Sequence, residues 1–207
     1  MTSTTVAGDV RLARAYLLRV AEPPAPNLSR FVDEHGPTVA ADLIASADAP
    51  QRVLDETAAR HDVHLAEQDL AVAESSGARL LVPEDPAWPA WPLVALDVAQ
   101  ARGVPWAGKP LALWVRGTAQ LAAAADRAVA VVGARSATAY GEHVAAEFGH
   151  GLAAAGVTVV SGAAYGVDGA AHRGSLAADG PTVAVLGCGV DRPYPAGHAT
   201  LLDRIAE

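Results

Sequence analysis

Three times between residues 128 and 195, an apolar run without polar alternation ends in glycine and small polar residues. The runs are AVAVVGARS (128–136), VTVVSGAAYG (157–166) and TVAVLGCG (182–189). Blocks of β-branched and small apolar side chains of this kind predict strands covered on both faces. Between the first two runs, Tyr140, Val144, Phe148 and Leu152 recur every fourth residue and predict one apolar stripe on a helix that Gly156 ends. Between the second and third, Val167, Ala171 and Leu176 predict a shorter helix closed near Gly180 and Pro181. Strand, helix, strand, helix, strand at this spacing predicts parallel pairing through right-handed crossovers. The expectation is α/β: part of a Rossmann-like, doubly wound sheet.

The preceding chain carries helical spacing instead. Val10, Ala13, Leu17 and Val20 predict a first helix, stopped by Pro23, Pro24 and Pro26. Phe31 and Val32 mark a second, closed by Gly36-Pro37. Val39, Leu43 and Ile44 suit a third, Val53, Leu54 and Ala58 a fourth, and Leu65, Leu70 and Val72 a fifth that ends at Gly77. Residues 1–77 are therefore expected to form a small all-helical domain, with the α/β domain running over 78–207. Within the latter, strands are predicted at 78–82 and 111–115, and a helix at 118–127. Pro83, Pro86, Pro89 and Pro92 predict extended backbone through Trp88 and Trp91, which are read as hydrophobic plugs rather than a stacking platform for bases.

Composition narrows the class. A hydrophobic content of 51% with 18% charged residues predicts a folded chain. The single cysteine rules out an internal disulfide and suits a reducing cytoplasm. No basic segment followed by an apolar core opens the chain, and no run is long enough to span a bilayer, so neither a signal peptide nor a membrane span is expected. The net charge of −8 changes the picture most. A globally acidic chain that binds a polyanion must gather its positive groups locally. Residues 128–207 hold four arginines against seven acidic residues.

The architecture predicts where a ligand sits, because open α/β sheets bind beyond the carboxyl ends of their strands. Three turns reach that rim: Gly133-Ala134-Arg135-Ser136, Ser161 to Gly166, and Gly187-Cys188-Gly189 with Asp191. Glycines allow close backbone approach, helix starts supply amide donors, and Arg135 supplies full charge, which together predict a phosphate or nucleotide-backbone site. In this reading Arg135 and the amides after Gly133 hold phosphates, while Ser161 and Gly162 shape the adjoining wall. Ala134, Ser136, Gly187 and Gly189 complete the candidate contacts. Tyr165, Gly166, Asp168, His172 and Asp191 hold the turns. Ser161, Asp168 and His172 also supply the residue types of a triad, but Asp168 is better read as compensating a helix dipole. Asp168 and His172 share a helical face and could pair, without a third metal ligand nearby. Cys188 lacks an obvious base. His61 and His64 have no second ligand pair and read as surface residues. The chain is expected to be non-catalytic, with no cofactor.

These motifs resemble a known family. Gly133-Ala134-Arg135 with Thr138, Tyr140 and Gly141 is similar to the first signature of the DprA (Smf) DNA-processing family. Ser161-Gly162, Ala164, Gly166-Val167-Asp168, Ala171 and His172 resemble its second block, and Ala184 to Asp191 with Tyr194-Pro195 its third. Tyr165 stands where many members carry arginine, and Ala134 where many carry serine. The resemblance implies a protein that binds incoming single-stranded DNA in natural transformation, protects it and helps load RecA. It also implies a homodimer formed through residues beyond this segment, where the family carries more strands and an arginine-asparagine-arginine motif. The chain is accordingly expected to be the front part of a longer protein, ending inside a helix that begins near Gly197. The helical domain occupies the place of a sterile-alpha-motif-like or helix-hairpin-helix-like module, with Gly36 the one glycine in the expected turn. The rivals are a nucleoside-monophosphate hydrolase of the LOG type and a dinucleotide oxidoreductase. The first would need a proline-glycine-glycine-x-glycine-threonine stretch and the second a G-x-G-x-x-G turn; neither occurs here.

Overall fold

The computed structural model describes residues 3–104 and 106–207, with side chains from Asp9 onward. It divides into two compact units, residues 1–115 and 116–207. In the first, α1 (Ser3–Val20) packs against α3 (Pro37–Ala45) and α5 (Ala66–Ser75), while α2 (Pro26–His35) lies against α3 and the single turn α4 (Gln51–Leu54). Leu17, Val20, Leu28, Phe31, Val32, Ile44 and Val53 fill the centre, as their helical spacing predicts. The Glu56 carboxylate closes the start of α2 by accepting from the amides of Asn27 (3.2 Å) and Leu28 (2.8 Å). Arg19 binds both carboxylate oxygens of Asp69, tying α1 to α5.

A two-stranded sheet of β1 (Ala78–Leu81) and β2 (Leu113–Arg116) follows, with α6 (Ala90–Ala101) between the strands. Leu80, Val82 and Ala112 enter the helical core, and Arg14 donates to the Leu111 carbonyl (3.0 Å) and to Glu84 (2.7 Å). Residues 78–115 therefore pack with the helices, although the sequence alone places them with the larger sheet. Helix α6 also differs from the extended segment expected there. Pro92 falls in its first turn, where the missing N–H has no intrahelical acceptor to lose. Trp88 is half-buried, but Trp91 is 79% exposed and plugs nothing.

The second unit opens with α7 (Leu121–Asp126) and then alternates β3 (Ala128–Ala130), α8 (Ala139–Ala154), β4 (Thr158–Ser161), α9 (Val167–Ala177), β5 (Thr182–Ala184) and α10 (Ala199–Ala206). The strands pair in parallel, in the order β3-β4-β5, with Val129 opposite Val159 and Val160 opposite Val183. The expected α/β architecture is present. The three strands advance in one direction, so the sheet described contains no reversal of strand order.

The face that α8 buries is not the one its large residues suggest. Tyr140 and Phe148 are 77% and 63% exposed, while Ala145, Gly149 and Ala153, which follow Val144, Phe148 and Leu152 by one position each, are buried. The period is right and the phase is off by one residue. A Cβ on Gly149 would lie 2.2 Å from the Ala171 carbonyl oxygen, and one on Gly174 would lie 2.0 Å from that of Ala146. The two helices meet backbone to backbone, which only glycine permits. Gly149→Ala should therefore cost about 2 kcal/mol or more, against near-neutrality or a gain of up to about 1 kcal/mol for Gly151→Ala, which has open space around it. Urea unfolding of the two variants checks this.

Candidate nucleic-acid interface

The ladder continues past the strands and sets the rim. The Val131 amide donates to the Val160 carbonyl (2.9 Å) and the Val185 amide to that of Ser161 (2.9 Å). The Ser161 hydroxyl donates to the Val131 carbonyl (2.6 Å), so it is spent inside the wall. It is 3% exposed and supports the first turn from beneath.

The first two turns are locked together. Gly166 sits at φ +77°, with its missing Cβ pointing at the carbonyl oxygens of Ala134 (2.2 Å) and Arg135 (2.6 Å). The Val167 amide donates to the Ala134 carbonyl (3.2 Å), and Gly133 packs face-on against the Val167 side chain. Asp168, buried in the first turn of α9, accepts from the Gly162 amide (3.1 Å). It closes its own turn rather than pairing with His172. The Thr138 hydroxyl caps α8 by accepting from the Gly141 amide (3.1 Å).

This leaves a surface with donors and no acceptors committed to them. Among the described residues, the amides of Gly133, Ala134, Arg135 and Ser136 donate to no protein group, and Arg135 is exposed without an ion pair. The third turn follows β5, on the far side of β4. Gly187, Cys188 and Gly189 are exposed there, the Cys188 thiol donates to the Arg192 carbonyl (3.2 Å), and Asp191 lies against Gly189. Unpaired amides and a guanidinium carried on one turn are groups of the kind that can meet an anion.

The residues that could make a catalytic triad are each committed elsewhere. His172 is fully buried, and its Nδ1 meets the Thr182 hydroxyl at 2.7 Å. Because that hydroxyl donates to the Val159 carbonyl (2.9 Å), it accepts from His172, which fixes the Nδ1–H tautomer. Nε2 has no hydrogen-bond partner within bonding geometry among the described residues. Burial pushes the His172 pKa down to about 4, against the smaller upward pull of Asp168. Thr182 was not legible as its partner, since a threonine that opens a strand carries no signal of its own. The same holds for His198, buried beside Ala163, whose carbonyl accepts from its Nδ1 (2.9 Å) while Ala163 itself sits at φ +54°.

An α/β unit of parallel strands with glycine turns and an unpaired arginine at its strand ends defines a Rossmann-like protein. Residues 79–207 match the family model of DNA recombination-mediator protein A, and the chain belongs to that family, whose members are also called DprA or Smf. It is 50% identical over 195 residues to a DNA processing protein DprA of Mycobacterium tuberculosis, covering 94% of this chain and 50% of that protein. It is 42% identical over 98 residues to protein Smf of Escherichia coli, covering 47% of this chain and 26% of that one. The X-ray structure of DprA from Streptococcus pneumoniae shares the fold, with a TM-score of 0.64 at 22% identity over 96% of this chain and 64% of that one. The chain thus spans about half the length of the mycobacterial relative. Among the described residues no helix is long and apolar enough to cross a membrane.

The buried histidine makes the unit acid-sensitive. A native pKa lowered from 6.5 to about 4 means that the unfolded chain takes up the proton first. The stability this group contributes is complete above pH 6.5 and is lost as pH falls toward 4, a loss of about 2–3 kcal/mol. Chemical unfolding at about pH 7.5 and about pH 4.5 should show that difference, and His172→Gln should flatten it.

Proposed function

We propose that this chain supplies the phosphate-holding rim of a single-stranded DNA-binding protein and makes or breaks no covalent bond. The carrying observation is the run of unpaired amides from Gly133 to Ser136 beside the free Arg135 guanidinium. Gly187 and Gly189, exposed in the turn after β5, add to the same edge of the sheet, while Ser161, Gly162, Gly166 and Asp168 fix the turns. Contacts of this kind address backbone phosphate and carry no base information, so binding is sequence-independent. Membership of the family supports assigning the strand to incoming DNA in natural transformation, its protection, and its delivery to RecA in the cytoplasm by a homodimer. No cofactor enters this reading. The absence of catalysis is supported by the commitments of Ser161, Asp168 and His172 to Val131, Gly162 and Thr182.

Anisotropy of labelled oligo-dT, with AMP and NADH as competitors, tests the proposal. Retention should fall steeply with salt, and Arg135→Ala should weaken it about 3- to 10-fold while reducing the log–log salt slope by about 0.7, the signature of one lost phosphate contact. Tight AMP binding with release of free base would replace this reading with a hydrolase.

A further inference from the structure

Beside the turn that carries Arg135 stands an aromatic ring whose hydroxyl is left uncommitted. Tyr165 is 51% exposed, and its hydroxyl makes no hydrogen bond among the described residues. Its ring is nevertheless held. It stands edge-on to the His198 ring, with centroids 4.8 Å apart and planes at 65°, and its hydroxyl end lies against Gly197, where a Cβ would come within 2.6 Å. His198 is fixed in turn by its bond to the Ala163 carbonyl, two residues before Tyr165. The residue after Tyr165 is Gly166, pressed onto the carbonyls of Ala134 and Arg135. The ring is therefore held by His198 and Gly197, half of it is exposed, and it stands one residue from the glycine that seats on the turn carrying the guanidinium.

We propose that Tyr165 is a stacking platform for one nucleobase of a strand whose phosphate lies on Arg135. This rests on the strand-binding reading above and adds to it a choice of substrate. An unpaired base can leave its neighbours and lie on an aromatic face, whereas a base within a duplex is covered on both sides. The site then selects single strands without reading sequence, because every base has a π-face. A ring already fixed by His198 and Gly197 loses little freedom when the base arrives.

The intact chain is titrated with labelled oligo-dT and with an abasic oligomer of the same length, as the parent protein, Tyr165→Ala, Tyr165→Phe and Arg135→Ala. Tyr165→Ala should weaken oligo-dT binding about 5- to 150-fold and leave the abasic oligomer within about twofold of the parent. Tyr165→Phe should bind oligo-dT like the parent, and the salt slope should be unchanged in both tyrosine variants. Equal weakening on both oligomers, or no effect on either, overturns the platform, and Tyr165→Phe controls for misfolding of the alanine variant. Salt-sensitive abasic binding that Arg135→Ala weakens keeps the strand-binding reading even when the platform fails. Loss of all binding by the parent sinks both.

Discussion

The contact on which the second unit's rim depends is the seat of Gly166 on the carbonyls of Ala134 and Arg135. No residue with a Cβ fits there, and the positive φ would strain one in any case. Through that contact, and the Val167–Ala134 hydrogen bond beside it, a turn after β3 and a turn after β4 become a single surface. Without it, Arg135 would ride on a loop tethered only at its ends. With it, the carbonyls of Ala134 and Arg135 face Gly166, and the amides of residues 133–136 donate to no group among the described residues.

Beneath the rim, buried polar groups are used as ties between layers. Ser161 links β4 to β3, and His172 with Thr182 links α9 through β5 to β4. Each tie works because its donor and acceptor are both satisfied, which removes the penalty of burying them. The exception is Nε2 of His172, and the imidazole answers by staying neutral. The residues that suggest an enzyme on paper are thus structural fasteners, and the groups left over for a ligand are backbone amides and a few exposed side chains.

Much of this was written in the chain. The three strands and their glycine turns were legible because continuous β-branched blocks ending in glycine leave few alternatives; the five N-terminal helices were legible in place, although Val39, Leu65 and Val72 are exposed and Ala58 and Leu65 lie outside the helices. Three things were not. Helix α6 was hidden because Pro92 reads as a breaker unless its place in a first turn is known. The face of α8 was misplaced because Tyr140 and Phe148 outweigh Ala145 and Gly149 in any hydrophobic count, although close helix packing favours the small residues. The grouping of residues 78–115 with the helices depends on where Leu80 and Ala112 are buried, and periodicity does not report the partner of a buried face. At the rim, Arg135 and its turn were found from sequence, whereas the supports under Tyr165 come from Gly197 and His198, more than thirty positions downstream.

The backbone-to-backbone meeting of α8 and α9 bears on how anything can dock above them. Both turns of the locked pair lead directly into these helices, and a contact without intervening side chains has no soft layer in which to shear. The pair acts as an anvil: its spacing is set before a ligand comes near. Whatever lies across it must do the bending itself, a demand that a limp polymer meets at small cost and a stiff rod does not.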